Sequence, residues 1–273
     1  MVWEEASTMA DNDERPRAVS ATEVSALISS APFEQVEDLL DRYSDDPRAQ
    51  VRHAIGVARR RHDHEAAERD RVMGMYRLMR QMGGEGIVLG LDEVGRGAIA
   101  GPLTVCAVAL PDDPVIWGIN DSKQLTPARR EVLAARIADV ALAIGTAHIA
   151  PATIDALGMS RCLKQAMRLA IQDAGVEPEA VLIDGNPVHV HPKEKTLVKG
   201  DARIACVAAA SIVAKVTRDE LMVSLDEEYP GYHLAECKGY GSPDHIGAIR
   251  RLGLSDIHRA SFCGNFLETP HLF

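Results

Sequence analysis

Aromatic residues are scarce in this chain: Phe, Trp and Tyr make up only 4% of its 273 residues. Its core is therefore expected to rest on Ala, Val, Leu and Ile. The five cysteines, Cys106, Cys162, Cys206, Cys237 and Cys263, include no Cys-x-x-Cys pair, which argues against a zinc ribbon or a dithiol redox motif. An odd, scattered set reads as reduced thiols of a cytosolic protein. No apolar run approaches the length of a membrane span. The first residues carry Glu4, Glu5, Asp11 and Asp13 rather than the basic-then-apolar layout of a signal peptide. The expectation is a soluble, cytoplasmic protein.

What is present suits a globular enzyme. Hydrophobic residues make up 46% and charged residues 26%, ordinary proportions for a soluble domain, and the length allows a sizeable core. The net charge of −10 at first sight opposes a polyanionic partner, because phosphate binding favours a basic surface. A cluster of catalytic acids lowers that sum without excluding a local basic groove, so the sign weighs little.

Charge and periodicity divide the chain. Residues 1–20 are polar and expected to lack fixed structure. Residues 21–84 read as a small helical extension: short helices from Thr22 and Pro32, then a long one opened by Asp45-Asp46-Pro47-Arg48. Residues 1–50 carry a net −8 and residues 51–80 a net +4. Met73, Met75, Tyr76, Met79 and Met82 read as a packing surface, and Gly83-Gly84 marks a joint. From 85 to 273 strands and helices alternate. Ile87–Leu91 and Thr104–Leu110 read as strands; with Pro102 between them leaving no room for a helix, they form a hairpin. A helix opened by Thr126-Pro127 follows, then strands near 140–149, 180–183 and 196–198, and helices over 160–174, 206–228 and 243–252. This is a layered α/β domain with a mixed sheet.

The chemistry concentrates at strand ends. Asp92-Glu93 closes an apolar strand and runs into Gly95-Arg96-Gly97, a turn that lets backbone approach another molecule and presents a forked cation suited to phosphate. A dinucleotide loop would need a helix immediately after the glycines, whereas Pro102 and the β-branched run predict a strand. Asp184 and Asp201 also lie at or beyond strand ends, each beside a glycine. Any one of these acids alone reads as a solvated loop residue. Several converging carboxylates repel one another unless a cation lies among them, and hard oxygen donors suit Mg2+ or Mn2+. Two such ions fit in-line phosphodiester hydrolysis.

Seven blocks make the pattern specific: GLDEVGRG (90–97), NDSKQL (120–125), LIDGN (182–186), VKGD (198–201), AASIVAKVTRD (209–219), KGYGS (238–242) and HRASF (258–262). In this order the region from Ile87 to Phe262 resembles bacterial ribonuclease HII, the type 2 ribonuclease H. The extension is similar, more weakly, to one found in some Gram-positive members. The resemblance implies a ribonuclease H-like mixed sheet flanked by helices. It also implies endonucleolytic cleavage of RNA in RNA/DNA hybrids and nicking 5′ of single ribonucleotides in duplex DNA, leaving 5′-phosphate and 3′-hydroxyl ends.

Carried over residue by residue, Asp92, Glu93, Asp184 and Asp201 become the catalytic, metal-binding carboxylates for two Mg2+ or Mn2+ ions. Neighbouring strand residues point to opposite faces, so Asp92 and Glu93 share a site only if the strand is ending there. Gly95, Arg96 and Gly97 match the loop that recognises the ribose 2′-OH. Tyr240 matches the tyrosine that packs on the sugar at the RNA–DNA junction, though alone it reads as a half-buried loop residue. Ser122 and Lys123 match a phosphate-contacting turn. Lys215 and Arg218, one helical turn apart, either face phosphates or form a solvated face. His189 and His191 lie among prolines and read as an exposed loop; His258-Arg259 reads as structural. Cys206-Val207-Ala208 lacks the serine common there in the family, and Cys237 stands where His or Asn is usual. Implied partners are an RNA/DNA hybrid or ribonucleotide-containing duplex and no membrane, with the chain a monomer; a sliding clamp stays open. The rival readings are another metal nuclease of the same fold, or a nucleic-acid-binding module without catalysis.

Overall fold

The computed structural model describes residues 19–267, and the expected lack of structure over 1–20 falls almost wholly outside them. Two compact units emerge, Met1–Glu68 and Arg69–Phe273.

In the first unit, α1 (Ala21–Ser30) opens on a capping box in which Ser20 and Glu23 satisfy each other's backbone N–H. Helix α2 spans Phe33–Arg42 and α3 spans Ala49–Gly83. Val24, Ile28, Val36, Leu40, Val51 and Ala58 form its core. Arg61 ties α3 to the end of α1 by donating to the carbonyls of Ser29 and Ala31.

The boundary at Glu68/Arg69 lies inside α3 rather than at the glycine pair near 84. Val72, Met75, Tyr76 and Met79 are buried in the core of the second unit, with Met82 packed against it, as expected of a packing surface, whereas Met73 points away and is exposed. Tyr76 also accepts the Ile116 N–H at 3.1 Å. Gly83-Gly84 marks only where the helix stops.

The second unit is built on five strands: β1 (Val88–Val94), β2 (Leu103–Ala109), β3 (Ala143–Ile149), β4 (Ala180–Asp184) and β5 (Glu194–Leu197), in the order β3-β2-β1-β4-β5. The hairpin holds, with β1 antiparallel to β2 and β2 to β3, while β4 and β5 run parallel to β1. The third strand starts at Ala143 rather than Val140 because α4 (Pro127–Val140), capped by Thr126, runs further than expected. Helices α6 (Met159–Asp173), α7 (Ala205–Glu228) and α9 (Pro243–Leu252) fall where periodicity places them. Helices α5 (Pro151–Leu157), α8 (Leu234–Cys237) and α10 (Ala260–Leu267) were not legible, each being too short to display a helical repeat.

The strand period of two sorts the core. Leu89, Leu91, Val181 and Ile183 face α6, whereas Val88 and Leu182 face α7. At Gly90 the α7 backbone rests on the sheet: a Cβ there would lie 2.2 Å from the Cys206 carbonyl carbon and 2.4 Å from the Val207 nitrogen. The glycine thus sets how closely α7 approaches the strand that carries Asp92.

Candidate active site

Asp92 inherits the α7-facing register of Val88 and Gly90, and it is only 7% exposed. Its carboxylate accepts the Glu93 N–H at 2.8 Å, and Ser211 on α7 favours its charged form. The Ser211 hydroxyl is paired at 2.9 Å with that of Ser122. Glu93 turns to the α6 side. The strand runs one residue past it, to Val94, so the two acids lie on opposite faces at the strand's end and still act on each other through their charges.

Parallel pairing of Leu91 with Ile183 brings Asp184 to the same edge. Asp184 accepts the Gly200 N–H at 2.7 Å, which ties β4 to the 3-10 turn Gly200–Ala202 that presents Asp201. All four predicted carboxylates therefore converge on one end of β1 and β4. They are not closed into a cage: among the described residues no three His, Cys, Asp or Glu side chains form a ready-made metal site.

The electrostatics of this edge are unfavourable without a cation. Burial, then the charge of Glu93, pushes the Asp92 carboxyl up to about 8. Burial also raises Glu93, with Arg96 opposing it. Asp201 is raised by burial and by the charges of Asp121 and Asp184. Like-charged acids held together in a partly dry site are the condition that a divalent ion relieves, and the donors are hard oxygens throughout. The residues fit a divalent metal.

Cations of the protein stand at the rim. Arg96, 61% exposed, reaches Glu93 at 3.4 Å. Lys123 Nζ lies 3.5 Å from Asp201 and 3.6 Å from Asp121; burial works against its charge, but the two acids outweigh it and raise its pKa. Between β4 and α6 opens a cavity of about 510 Å3 lined by Glu93, Asp184, Arg96, Arg161 and Lys164. A basic wall thus faces the carboxylates despite the net negative charge.

The Gly95-Arg96-Gly97 turn is held from behind by Arg259, which has no exposed surface. Its guanidinium donates to the carbonyls of Gly95 at 2.7 Å, Ala98 at 2.8 Å and Gly101 at 2.8 and 3.0 Å. Arg96 and Gly97 stay exposed, and the space beside Gly97 is open. A second loop is fastened to this turn. Gly239, at φ 78°, lies so near Ala100 that a Cβ would be 2.4 Å from its carbonyl oxygen, and its own carbonyl accepts the N–H groups of Ile99 and Ala100. Tyr240 follows, 38% exposed.

Several sequence expectations are redirected. Arg218 faces no phosphate: it is fully buried and donates to the carbonyls of Pro102, Lys238 and Ala100, with its guanidinium 5.6 Å from the Tyr240 ring centre. Lys215, a turn away, is paired with Asp219 at 2.8 Å and borders a different hollow, with Arg130 and Lys238. Ser122 is buried and props Ser211 rather than offering its hydroxyl at the surface. His189 and His191 border a hollow of about 570 Å3 beside Glu194, whose carboxylate is taken up by the N–H groups of Val188, His189 and Val190. Sequence reasoning passed over Asp121, Ser211, Arg161 and Lys164. The first two sit inside matching blocks, while the last two carry no signal beyond a basic pair three residues apart on an amphipathic helix.

Comparison with known proteins decides the family. The ribonuclease HII family model matches residues 89–265. The chain belongs to the ribonuclease HII family. Ribonuclease HII of Geobacillus thermodenitrificans is 43% identical over 219 residues, 80% of this chain and 85% of that protein. That of Lachnoclostridium phytofermentans is 43% identical over 226 residues, 82% and 89% of the two chains. Among solved structures, ribonuclease H2 from Pyrococcus horikoshii superposes with TM-score 0.57 at 25% identity, covering 67% of this chain and all of that one. The ribonuclease HII of a PCNA complex from Archaeoglobus fulgidus gives 0.56 at 26%, covering 64% and 94%. The fold is ribonuclease H-like. The protein is a type 2 ribonuclease H, a metal-dependent endonuclease acting on RNA in RNA/DNA hybrids. Among the described residues no helix is long and apolar enough to cross a membrane.

Proposed function

We propose that this ribonuclease HII also nicks duplex DNA immediately 5′ of a single embedded ribonucleotide, leaving 5′-phosphate and 3′-hydroxyl ends. The observation that carries the reading is the Gly95-Arg96-Gly97 turn directly at the end of the strand bearing Asp92 and Glu93, its Gly95 buried and bonded to Arg259 and its Arg96 and Gly97 exposed. A turn fixed by Arg259 presents its backbone to a 2′-OH without having to reorganise, which is how a site discriminates one hydroxyl. Tyr240, on the loop fastened beside it, stacks on the neighbouring sugar.

Asp92, Glu93, Asp184 and Asp201 would hold two divalent ions, Mg2+ or Mn2+, whose chemistry is to activate the attacking water and neutralise the leaving 3′ oxygen. The protein's own residues orient that assembly. Ser211, braced by Ser122, favours the charged form of Asp92, and the Gly200 N–H holds the carboxylate of Asp184. Arg96, Arg161 and Lys164 form a wall that steers the phosphate backbone into the cavity, while Lys123 neutralises the rim beside Asp201.

The test is a duplex carrying one ribonucleotide, incubated with Mg2+, with Mn2+ and with chelator. The expected result is a metal-dependent nick 5′ of the ribonucleotide, absent from all-DNA duplex and from Asp92→Asn. Cleavage of a continuous hybrid with no nick at the single ribonucleotide would overturn the finer specificity.

A further inference from the structure

Two buried histidines stand behind Tyr240. His245 lies in the first turn of α9, and His258 lies just before α10. They are joined Nε2 to Nε2 at 3.1 Å, and both are buried. The direction of their hydrogen bonds follows from what the partners at each end permit. The Ser255 backbone N–H can only donate, and it reaches His258 Nδ1 at 3.0 Å. That nitrogen is therefore unprotonated, and His258 carries its proton on Nε2. This proton is donated to His245 Nε2, which leaves the His245 proton on Nδ1. At the far end His245 Nδ1 lies 2.9 Å from the Tyr240 carbonyl oxygen, which can only accept. Both ends demand the same arrangement, so the chain Ser255 N–H to His258 to His245 to Tyr240 has one consistent direction.

The chain works only while both rings are neutral. Burial, then His245, holds His258 down to about 4, and burial also lowers His245. The groups facing the pair are the Tyr232 ring, centred 4.7 Å from His258 and 6.3 Å from His245, the Cys237 thiol at 3.5 Å, the Ser255 hydroxyl at 2.9 Å, and His233, whose charge acts on His245. Among the described residues no carboxylate is paired with either ring.

The three carbonyls of Lys238, Gly239 and Tyr240 are all drawn inward: the first by Arg218, the second by the Ile99 and Ala100 N–H groups, the third by His245 and the Ser242 N–H. With the backbone held, Tyr240 stays partly exposed, its ring 5.6 Å from the Arg218 guanidinium. We infer that His245 and His258 are positioning residues for junction recognition, a two-imidazole relay that fixes the backbone of Tyr240 so that its ring meets the sugar. The inference rests on the proposed role of Tyr240.

The test uses the full chain and two substrates, a duplex with one embedded ribonucleotide and a continuous RNA/DNA hybrid, and reads the ratio of their kcat/KM values. Tyr240→Ala should lower the ratio about tenfold, His258→Phe should lower it similarly, and the double variant should fall no further than either single one. His258→Gln, whose amide N–H takes the place of Nε2–H, should recover most of the ratio. If Tyr240→Ala lowers the ratio while a folded His258→Phe does not, the positioning role is overturned. If Tyr240→Ala itself leaves the ratio intact, the reading of Tyr240 has failed and the relay's purpose with it. Should His258→Phe not fold, long-range 1H–15N spectra of the native imidazoles decide. A proton on Nδ1 of His245 and on Nε2 of His258 supports the relay; the opposite tautomer on either ring overturns it.

Discussion

Replacing Arg259 with methionine removes a buried guanidinium while keeping much of the volume of its stem. Gly95, Ala98 and Gly101 then lose the donors that reach their carbonyl oxygens at 2.7, 2.8 and 2.8 Å. At about 2 kcal/mol each for the Ala98 and Gly101 carbonyls left without a partner, and about 1 kcal/mol for that of Gly95, which keeps the Ala98 N–H, the gross loss is about 5 kcal/mol. Part of this is offset. Burial, then the neighbouring charge of Arg218, holds the Arg259 guanidinium down to about 10, and removing the charge relieves about 3 kcal/mol of that strain. A net destabilisation of about 2 kcal/mol follows. Urea unfolding of the full chain followed by circular dichroism measures it, and Arg259→Lys should fall nearly as far, because one ammonium cannot span carbonyls on both sides of the turn. Cleavage at a single ribonucleotide should suffer beyond the loss of folded protein, since the turn that reads the 2′-OH loses its support. A stability change within about 0.5 kcal/mol, the range of an ordinary surface substitution, would refute the claim that this guanidinium holds the turn.

Four further outcomes are expected. Asp92→Asn in metal-free protein should raise stability at pH 7 by about 2 kcal/mol, because burial beside Glu93 forces the Asp92 carboxyl to take up a proton on folding and the amide need not, while abolishing cleavage; calorimetry and the nicking assay check the two effects, and a less stable variant contradicts the electrostatic reading. Gly90→Ala should cost about 3 kcal/mol or more, since its Cβ would collide with the α7 backbone; unchanged stability contradicts that close packing. A chain beginning at residue 85 should fail to fold because it lacks Val72, Met75, Tyr76 and Met79, each worth about 2–5 kcal/mol when buried; one beginning at residue 69 should fold, and a reversal of that order refutes the boundary inside α3. The pH dependence follows from His258, whose folded pKa of about 4 lies below its unfolded value near 6.5. Its contribution is fully present above pH 6.5 and is lost as pH falls towards 4, by about 1–3 kcal/mol. His258→Gln should remove that part of the acid sensitivity in urea titrations at pH 7.5 and 4.5, and an identical pH dependence in both proteins counts against a buried neutral ring.

Much of this molecule was legible in its sequence. The hairpin followed from Pro102 and the β-branched run beyond it, the cap of α4 from Thr126-Pro127, and the four acids from their places at strand ends. These signals are local, since a strand's period, a cap and a glycine turn depend on residues a few positions apart. The fates of the arginines were not legible. Arg218 and Arg259 look like any surface cation in the sequence, and only the folding of two loops against them, with every partner except Lys238 lying 116 to 164 residues away, turns them into buried donors to carbonyl oxygens. The same holds for Ser122, which reads as a polar loop residue until α7 brings Ser211 against it. It holds for the division inside α3, where one uninterrupted helical pattern serves two cores. Local sequence pattern sufficed to place Asp92, Glu93 and Asp184 at strand ends and Asp201 just beyond one, on what proves to be a 3-10 turn. Tertiary structure alone decided which charges are buried, which carbonyls they satisfy and which loops they hold still, because desolvation and hydrogen-bond partnership are properties of neighbours in space.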